Sequence, residues 1–325
     1  MLRRNFIRTV GGAVFGWPWI ATAQQQTNRV WRIAHVYPGK YDNASAFATY
    51  DVFRGRLREL GYIEGKNLVI DQRAAEEQLE RLPLILSDLI ALRPDIIVAI
   101  LNSAIAAAQR ATSIIPIIMA PGINPIGVGF VRSLARPGGN ITGISSMSDD
   151  IMGKTAELLH AMLPSAERIA VLLSNNPTHP WQYELAEVAI KNLGLAAVRV
   201  VAPKPDDLEQ AFEIMRNENC DALFVPGDVT RPAIVTLAAK AKIPAFYHSG
   251  AYVPLGGLAS YSPQLAWFYR TAAQYCDRIF KGANPAELPV EQPVGFELAI
   301  NLKAAASLGL TIPDSVMARA DKVIE

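Results

Sequence analysis

The second half of this 325-residue chain repeats the order of short motifs found in the first half. In each half an Arg-Ile-Ala strand start is followed by Leu-Gly, by an apolar run that begins with Asp, by Ile-Pro and by two glycines. The matching positions are Arg32 with Arg168, Leu60 with Leu193, Asp95 with Asp221, Ile115 with Ile243, and Gly138 with Gly256. They lie 118 to 136 residues apart, so the order is kept while loop lengths differ. Two similar lobes in one chain leave a cleft between them, and we expect function to reside there.

Short apolar runs rich in β-branched residues alternate with segments of helical periodicity throughout the chain that follows residue 30. Such alternation favours parallel sheets with helices on both faces. The predicted fold class is therefore α/β, with two similar doubly wound parallel-sheet lobes. Lobe 1 is expected to comprise residues 24–145 and 260–285, and lobe 2 residues 146–259 and 286–325.

Three segments are expected to cross between the lobes. Two are glycine-marked strands near 141–146 and 256–262, and the third is the Pro-rich stretch 285–293. Three crossings form a three-segment hinge that restricts motion to opening and closing of the cleft.

The N-terminus, residues 1–23, has the pattern of a signal peptide. Arg3-Arg4 precede an apolar run from Val10 to Ile20, which ends at the small residues Ala21-Thr22-Ala23. We expect export to the periplasm. The start resembles a twin-arginine motif but departs from it at Leu2, so the twin-arginine and general secretion routes both stay open. The apolar run is too short to span a bilayer, and stable membrane insertion is not expected.

Composition argues against several classes of function. The formal net charge is +1 with basic and acidic residues interspersed, so a nucleic-acid partner is not expected. The chain lacks a G-x-S-x-G elbow and a phosphate-binding P-loop. Neither the four histidines nor Cys220 and Cys276 have metal-ligand spacing. We therefore expect no catalytic residue, no metal and no cofactor, and two buried free thiols.

The candidate ligand-binding residues come directly after predicted strands, because ligands of parallel sheets bind beyond the carboxyl ends of the strands. They are mostly uncharged hydrogen-bonding groups: Tyr37, Asn102, Ser103, Asn124, Asn175, Asn176, Asp228, Tyr247 and His248.

Several of these residues also have a purely structural interpretation. Ser103 precedes a predicted helix and serves either as its N-cap or as part of a helix N-terminus that binds a ligand carboxylate. Asp228 either pairs with a ligand ammonium or caps the helix that follows. Asn175-Asn176 and Asn124 each precede a proline and are typical of turns.

Five segments give the chain a family resemblance: Arg3-Arg4-x-Phe6-Ile7, Leu60–Asn67, Pro137–Gly143, Phe296–Lys303 and Leu308–Pro313. Over essentially its whole length the chain resembles the substrate-binding proteins of ABC importers with the type I periplasmic-binding fold, in the branch that includes tryptophan- and tyrosine-type binders. That resemblance implies a two-lobed receptor that delivers a small solute to a membrane permease driven by an ATPase. The family often has Asp, able to hold a ligand amine, where this chain has Asn124.

The leading hypothesis is thus an exported receptor of an ABC importer, which captures an amino acid or an aromatic or other organic acid by closing its hinge. Its partners would be a small-molecule ligand and an ABC permease with its ATPase. An exported small-molecule enzyme and a periplasmic sensor that use the same cleft are the alternatives.

Overall fold

The structure is a computed structural model that describes residues 29–41 and 44–325 of the chain. The expected signal peptide at residues 1–23 lies outside the described residues. The side chains of residues 44–47 and 148–150 are likewise not described.

The first sheet has five parallel strands in the order β2-β1-β3-β4-β5. Its strands are β1 (Trp31–Tyr37), β2 (Leu68–Ala74), β3 (Ile96–Ala99), β4 (Ile117–Ile123) and β5 (Ile141–Ser146). The central strands are apolar almost throughout, as expected for strands that are covered on both faces.

The second sheet has seven strands in the order β12-β11-β10-β9-β8-β6-β7. They are β6 (Arg168–Leu173), β7 (Ala196–Val201), β8 (Ala222–Val225), β9 (Ala245–Tyr247), β10 (Ala259–Pro263), β11 (Phe296–Asn301) and β12 (Lys322–Ile324). All neighbours are parallel except β10 and β11, which are antiparallel.

The two sheets confirm the internal repeat predicted from the sequence. Strands β7-β6-β8-β9-β10 follow the same 2-1-3-4-5 order as the five strands of the first sheet. The repeated aspartates make equivalent contacts, because Asp95 accepts a hydrogen bond from Arg32 N and Asp221 accepts one from Arg168 N. Each carboxylate thereby ties the start of a central strand to the strand beside it.

Ten α-helices cover the sheets in the described part of the chain. They are α1 (Ala44–Glu59), α2 (Leu82–Ala91), α3 (Leu101–Ala111), α4 (Ser148–Met162), α5 (His179–Asn192), α6 (Leu208–Asn217), α7 (Ala233–Ala241), α8 (Leu265–Phe280), α9 (Leu302–Ser307) and α10 (Asp314–Met317). Each sheet has a hydrophobic core on both of its faces.

Two helices are exchanged between the lobes. Helix α8 follows β10 of the second sheet, yet its Phe268, Tyr275 and Cys276 are buried in a core of the first sheet. Helix α4 follows β5 of the first sheet, yet its Leu158 is buried in a core of the second. The exchange accounts for two of the chain's passages between the lobes.

The third passage lies close to the Pro-rich segment. The backbone N–H of Val290 donates to Leu134 O, and the backbone N–H of Ser145 donates to Glu291 O. Residues 290–291 therefore still run beside the first sheet. The chain then enters the second sheet at Phe296, the start of β11. The hydrogen bonds therefore put this passage after Glu291, a few residues later than the lobe boundary expected from the sequence.

The structure corrects a local expectation about Ser103. Helix α3 begins at Leu101, so Ser103 lies in its first turn and is not its N-cap. Residues 124–140, which follow β4, form turns, bends and irregular backbone. The end of the chain forms the short helix α10 and the edge strand β12.

Candidate ligand-binding site

A cavity lies between the two lobes at the carboxyl ends of both sheets. It offers about 100 Å³ to the centres of water-sized molecules, several times what one water needs. The first lobe contributes residues at the ends of β1, β3, β4 and β5, and the second lobe those at the ends of β8, β9 and β10. Helices α1 and α8 close its side. This is where doubly wound sheets of this order hold ligands.

The first lobe gives the cavity an aromatic wall. Tyr41, Tyr50, Phe268 and Tyr269 line it together with Tyr37 at the end of β1. Burial raises the pKa of Tyr50 to about 12 and the pKa values of Tyr37, Tyr41 and Tyr269 above their usual value. The phenols therefore stay protonated and keep their hydroxyl hydrogens. Such a wall suits a flat apolar or aromatic group.

Asp228 is the only acidic residue among the described lining residues, and none of them is Lys or Arg. Its Oδ2 accepts a hydrogen bond of 2.5 Å from Ser174 Oγ, and its Oδ1 accepts one of 3.1 Å from Asn176 Nδ2. Both donors are neutral. The carboxylate thus faces the cavity without a Lys or Arg partner there, and an ammonium group of a ligand would supply the missing positive charge.

Ser174, His179 and Asp228 are close together but are not arranged as a catalytic triad. Ser174 Oγ donates to the carboxylate and not to the imidazole. His179 Nδ1 accepts a 2.6 Å hydrogen bond from the backbone N–H of Ser174, and its Nε2 lies 3.8 Å from Asp228 Oδ2. In a triad the histidine would accept the serine hydroxyl proton, which this geometry does not allow. The hydrogen bonds of this cluster instead hold the segment that follows β6 in place beside the cavity.

Two lining histidines, His35 and His248, are neutral in the folded protein. Burial lowers the pKa of His35 to about 3, and burial, reinforced by nearby His179, lowers that of His248 to about 4. Burial also lowers the pKa of His179 itself. Gly227 lets His248 approach, since a side chain at 227 would meet the imidazole at 2.8 Å.

Stability should fall as the pH is lowered from about 6.5 to about 4. In that range the unfolded chain protonates its histidines, while His35 and His248 stay neutral in the folded state. Each therefore costs up to about 1.4 kcal/mol per pH unit. Urea unfolding at a series of pH values measures this slope. The double variant H35Q/H248Q should have a smaller slope of unfolding free energy against pH. An unchanged slope would contradict the conclusion that His35 and His248 stay neutral in the folded protein.

An ion pair joins the lobes at the rim of the cavity. Arg231 Nε lies 2.8 Å from Glu77 Oε2, and the two side chains are only 7% and 11% exposed. Glu77 follows β2 of the first lobe, and Arg231 follows β8 of the second. The guanidinium also donates to the carbonyls of Ala202 and Pro203.

The structure brings six of the nine sequence-predicted residues to the cleft. Tyr37, Asp228 and His248 line the main cavity. Ser103, Asn175 and Asn176 lie at its rim, in a small recess shared with Glu77 and Arg231.

The other three predicted residues face elsewhere. Asn102 is fully buried and its amide bonds both the N–H and the C=O of Ile123, at 2.7 Å each. Asn124 turns back on its own loop and accepts a hydrogen bond from Gly127 N. Tyr247 is buried in a core of the second lobe, where it stacks on Tyr252. Strand-end position alone does not tell which way such side chains point.

Asn102→Ala should destabilise the protein by about 2–4 kcal/mol, because it leaves a buried N–H and a buried C=O of Ile123 without partners. Chemical denaturation measures the loss. Ser103→Ala is the matched control, since Ser103 is only partly buried in the same helical turn, and its stability should change by less than about 0.5 kcal/mol. Equal stabilities of the two variants would rule out this role of Asn102.

The lining residues missed from the sequence come mainly from helices. Tyr41, Tyr50, Phe268 and Tyr269 reach the cavity from the segment after β1, from α1 and from α8. The apolar periodicity of α8 indicated a face packed in the core, and that pattern does not tell which of its residues also reach the cavity. The rim pair of Glu77 and Arg231 also escaped notice, because its members lie 154 residues apart.

Three further properties concern the described residues alone. They contain no group of three or more His, Cys, Asp or Glu placed to hold a metal ion. None of their helices combines the length and the apolar character needed to cross a bilayer. Cys220 and Cys276 are both buried and free, in different lobes.

Two sheets of one topology that face each other across a ligand-sized cavity define a two-lobed solute-binding protein. The family of ABC transporter substrate binding proteins matches residues 42–324, and the chain belongs to that family. This confirms the resemblance seen in the sequence motifs.

Three similar proteins agree with this assignment. A tyrosine-binding protein of Clostridioides difficile is 27% identical over 250 residues, which cover 75% of this chain and 72% of that protein. The crystal structure of a conserved domain protein from Vibrio cholerae is 28% identical, with a TM-score of 0.85 over 91% of this chain and 100% of the other. An ABC domain from Streptococcus pneumonia in complex with L-Trp is also 28% identical, with a TM-score of 0.83 and the same coverage.

Proposed function

We propose that this solute-binding receptor captures a zwitterionic amino acid, with an aromatic amino acid as the best candidate, and delivers it to an ABC importer. The cavity carries this proposal, because its described lining combines an aromatic wall with one carboxylate, Asp228, and contains no Lys or Arg. A ligand ammonium would neutralise Asp228, and a ring would stack on the wall. An organic acid without an amine would put a second negative charge beside Asp228.

The comparisons support this ligand class. The similar protein from Clostridioides difficile is a tyrosine-binding protein, and the similar structure from Streptococcus pneumonia contains L-Trp. Asn124 stands where family members often carry an aspartate. Asp228 reaches the cavity from the second lobe and provides the charge that Asn124 lacks.

A thermal-shift screen tests the ligand class. The compounds are the standard amino acids, tyramine, and 3-(4-hydroxyphenyl)propionate, which lacks the amine. At one hundred times its Kd, a ligand adds about 2.7 kcal/mol of stability, which raises Tm by several degrees. We expect L-tyrosine or L-tryptophan to give the largest shifts and the propionate none. A shift by the propionate alone would contradict the proposal.

Export and transport need separate experiments. We propose that residues 1–23 direct the protein to the periplasm, and a reporter fused after this segment should appear there. Replacing Arg3 and Arg4 by lysine should block export if the twin-arginine route is used and leave it intact otherwise.

Deleting the gene should abolish high-affinity uptake of the ligand found in the screen. Unchanged uptake would favour a sensory role.

A further inference from the structure

His35 has one ring nitrogen satisfied and the other buried without a partner. It lies in β1, is only 1% exposed, and lines the cavity. Its Nδ1 is 2.9 Å from the hydroxyl of Tyr41. Its Nε2 has no hydrogen-bond partner within the described protein. A buried polar atom left unpaired costs about 1–3 kcal/mol, so a partner supplied by a ligand would recover that free energy.

The partners of Tyr41 set the direction of the hydrogen bonds. Gln72 of β2 stands directly opposite His35 in the register of the two strands. A side-chain hydrogen bond between Gln72 and Tyr41 opposes the raising of the Tyr41 pKa by burial. The neutral Tyr41 phenol can donate its proton to His35 Nδ1 over 2.9 Å, and Nδ1 is then the acceptor. An imidazole that accepts at Nδ1 and is neutral carries its proton on Nε2.

The surroundings hold this ring in place. The ring of Tyr50 meets that of His35 edge-on at 5.1 Å between centroids, and Phe53 lies at 5.6 Å. Neither offers a hydrogen-bond acceptor to Nε2 in this arrangement. Burial favours the neutral imidazole, which agrees with a pKa of about 3. The donor is thus fixed in position and in protonation.

We propose that His35 is a ligand-binding residue whose Nε2–H donates to a carboxylate or carbonyl oxygen of the bound solute, with Tyr41 as the positioning residue that fixes its tautomer. The inference rests on the proposed function for the identity of the solute. It also gives the site a polarity. The second lobe presents an acceptor, Asp228, and the first lobe presents a neutral donor, His35, so an amino acid binds with its ammonium toward the second lobe and its carboxylate toward the first.

Nuclear magnetic resonance on protein with ¹⁵N-labelled histidine tests the tautomer without any ligand. We expect His35 to show an unprotonated Nδ1 and a protonated Nε2, with its resonances assigned by their loss in H35Q. Tyr41→Phe removes the phenol donor and should shift His35 toward the other tautomer. A charged His35, or a proton on Nδ1 in the wild-type protein, would overturn the proposal.

Calorimetric titration tests the contact, with L-tyrosine and tyramine as a matched pair that differs only in the carboxylate. His35→Leu should weaken L-tyrosine binding at least tenfold and tyramine binding less than threefold. His35→Gln places an amide N–H near the position of Nε2 and should keep L-tyrosine within about threefold of wild type. Equal losses for both compounds in H35L, or no loss at all, would overturn the contact.

The two experiments separate this proposal from the proposed function. If neither L-tyrosine nor L-tryptophan binds the wild-type protein, the aromatic amino acid class is wrong, and the histidine spectra still decide whether His35 is a fixed Nε2–H donor. If both bind and H35L loses nothing, the ligand class stands and the role of His35 fails. Circular dichroism melts of each variant confirm that it is folded, and Y41F retains His35 should H35L misfold.

Discussion

Glu77→Gln should shift the ligand-free protein toward an open arrangement of its lobes. The ion pair of Glu77 with Arg231 exists only while the lobes are in contact, and both side chains are nearly buried. Removing one partner of a buried pair costs about 3–5 kcal/mol, because the other charge is left buried and unpaired. Small-angle X-ray scattering should show a larger radius of gyration for E77Q than for wild type.

The same change should weaken ligand binding about 100-fold, since a loss of about 3 kcal/mol in the closed state appears in Kd when binding requires closure. Glu76→Gln is a closely matched control. Glu76 is the neighbouring residue, has the same left-handed backbone, and pairs with Arg81 at an exposed position of the same lobe. E76Q should behave as wild type. If E77Q matches E76Q in both scattering and Kd, the ion pair of Glu77 with Arg231 does not hold the lobes closed.

Asp228→Asn should weaken binding of L-tyrosine and L-tryptophan by at least about 30-fold. The change removes the only carboxylate among the lining residues that the structure describes, and losing one partner of a buried charged hydrogen bond costs about 2–5 kcal/mol. An asparagine retains one oxygen for Asn176 Nδ2, and its amide can donate to Ser174 Oγ, so the loop should keep its shape. Calorimetric titration measures the loss.

Asp88→Asn serves as its control, because Asp88 is an exposed residue of α2 and the change in net charge is the same. Its affinity should stay within twofold of wild type. The D228N variant should bind 3-(4-hydroxyphenyl)propionate no more weakly than the wild type does, because that compound has no ammonium. Equal losses for the two compounds would mean that Asp228 acts only by holding its loop.

The fold was predictable from sequence because its determinants are local. The strand starts at Arg32 and Arg168 and the aspartates at 95 and 221 mark equivalent positions in two short units. Buried parallel strands are also unmistakably apolar, as in β3 and β8. The lobe bounds expected from the sequence assign α8 to lobe 1 and α4 to lobe 2, although an amphipathic helix alone does not specify which of two apolar surfaces it covers.

The site was predictable only in part, because the local sequence does not specify which way a side chain at the end of a strand points. The carboxyl ends of strands lead to the cleft, and that rule found Tyr37, Asp228 and His248. It failed for Tyr247, because side chains alternate across a strand and this one points into the core. It failed for Asn102 because an amide at a strand end can satisfy neighbouring backbone as well as a ligand. The rule also gave no sign of His179, which the structure buries beside Asp228.

The central claim is that the lobes enclose a zwitterionic aromatic solute between an aromatic wall and Asp228. Titration calorimetry of L-tyrosine and L-tryptophan into ligand-free protein at several temperatures tests it most directly. The account predicts saturable one-to-one binding of at least one of them, with a negative heat-capacity change from burial of apolar surface and with most of the affinity lost in D228N. Absence of binding by both, or binding that D228N leaves unchanged, would contradict it.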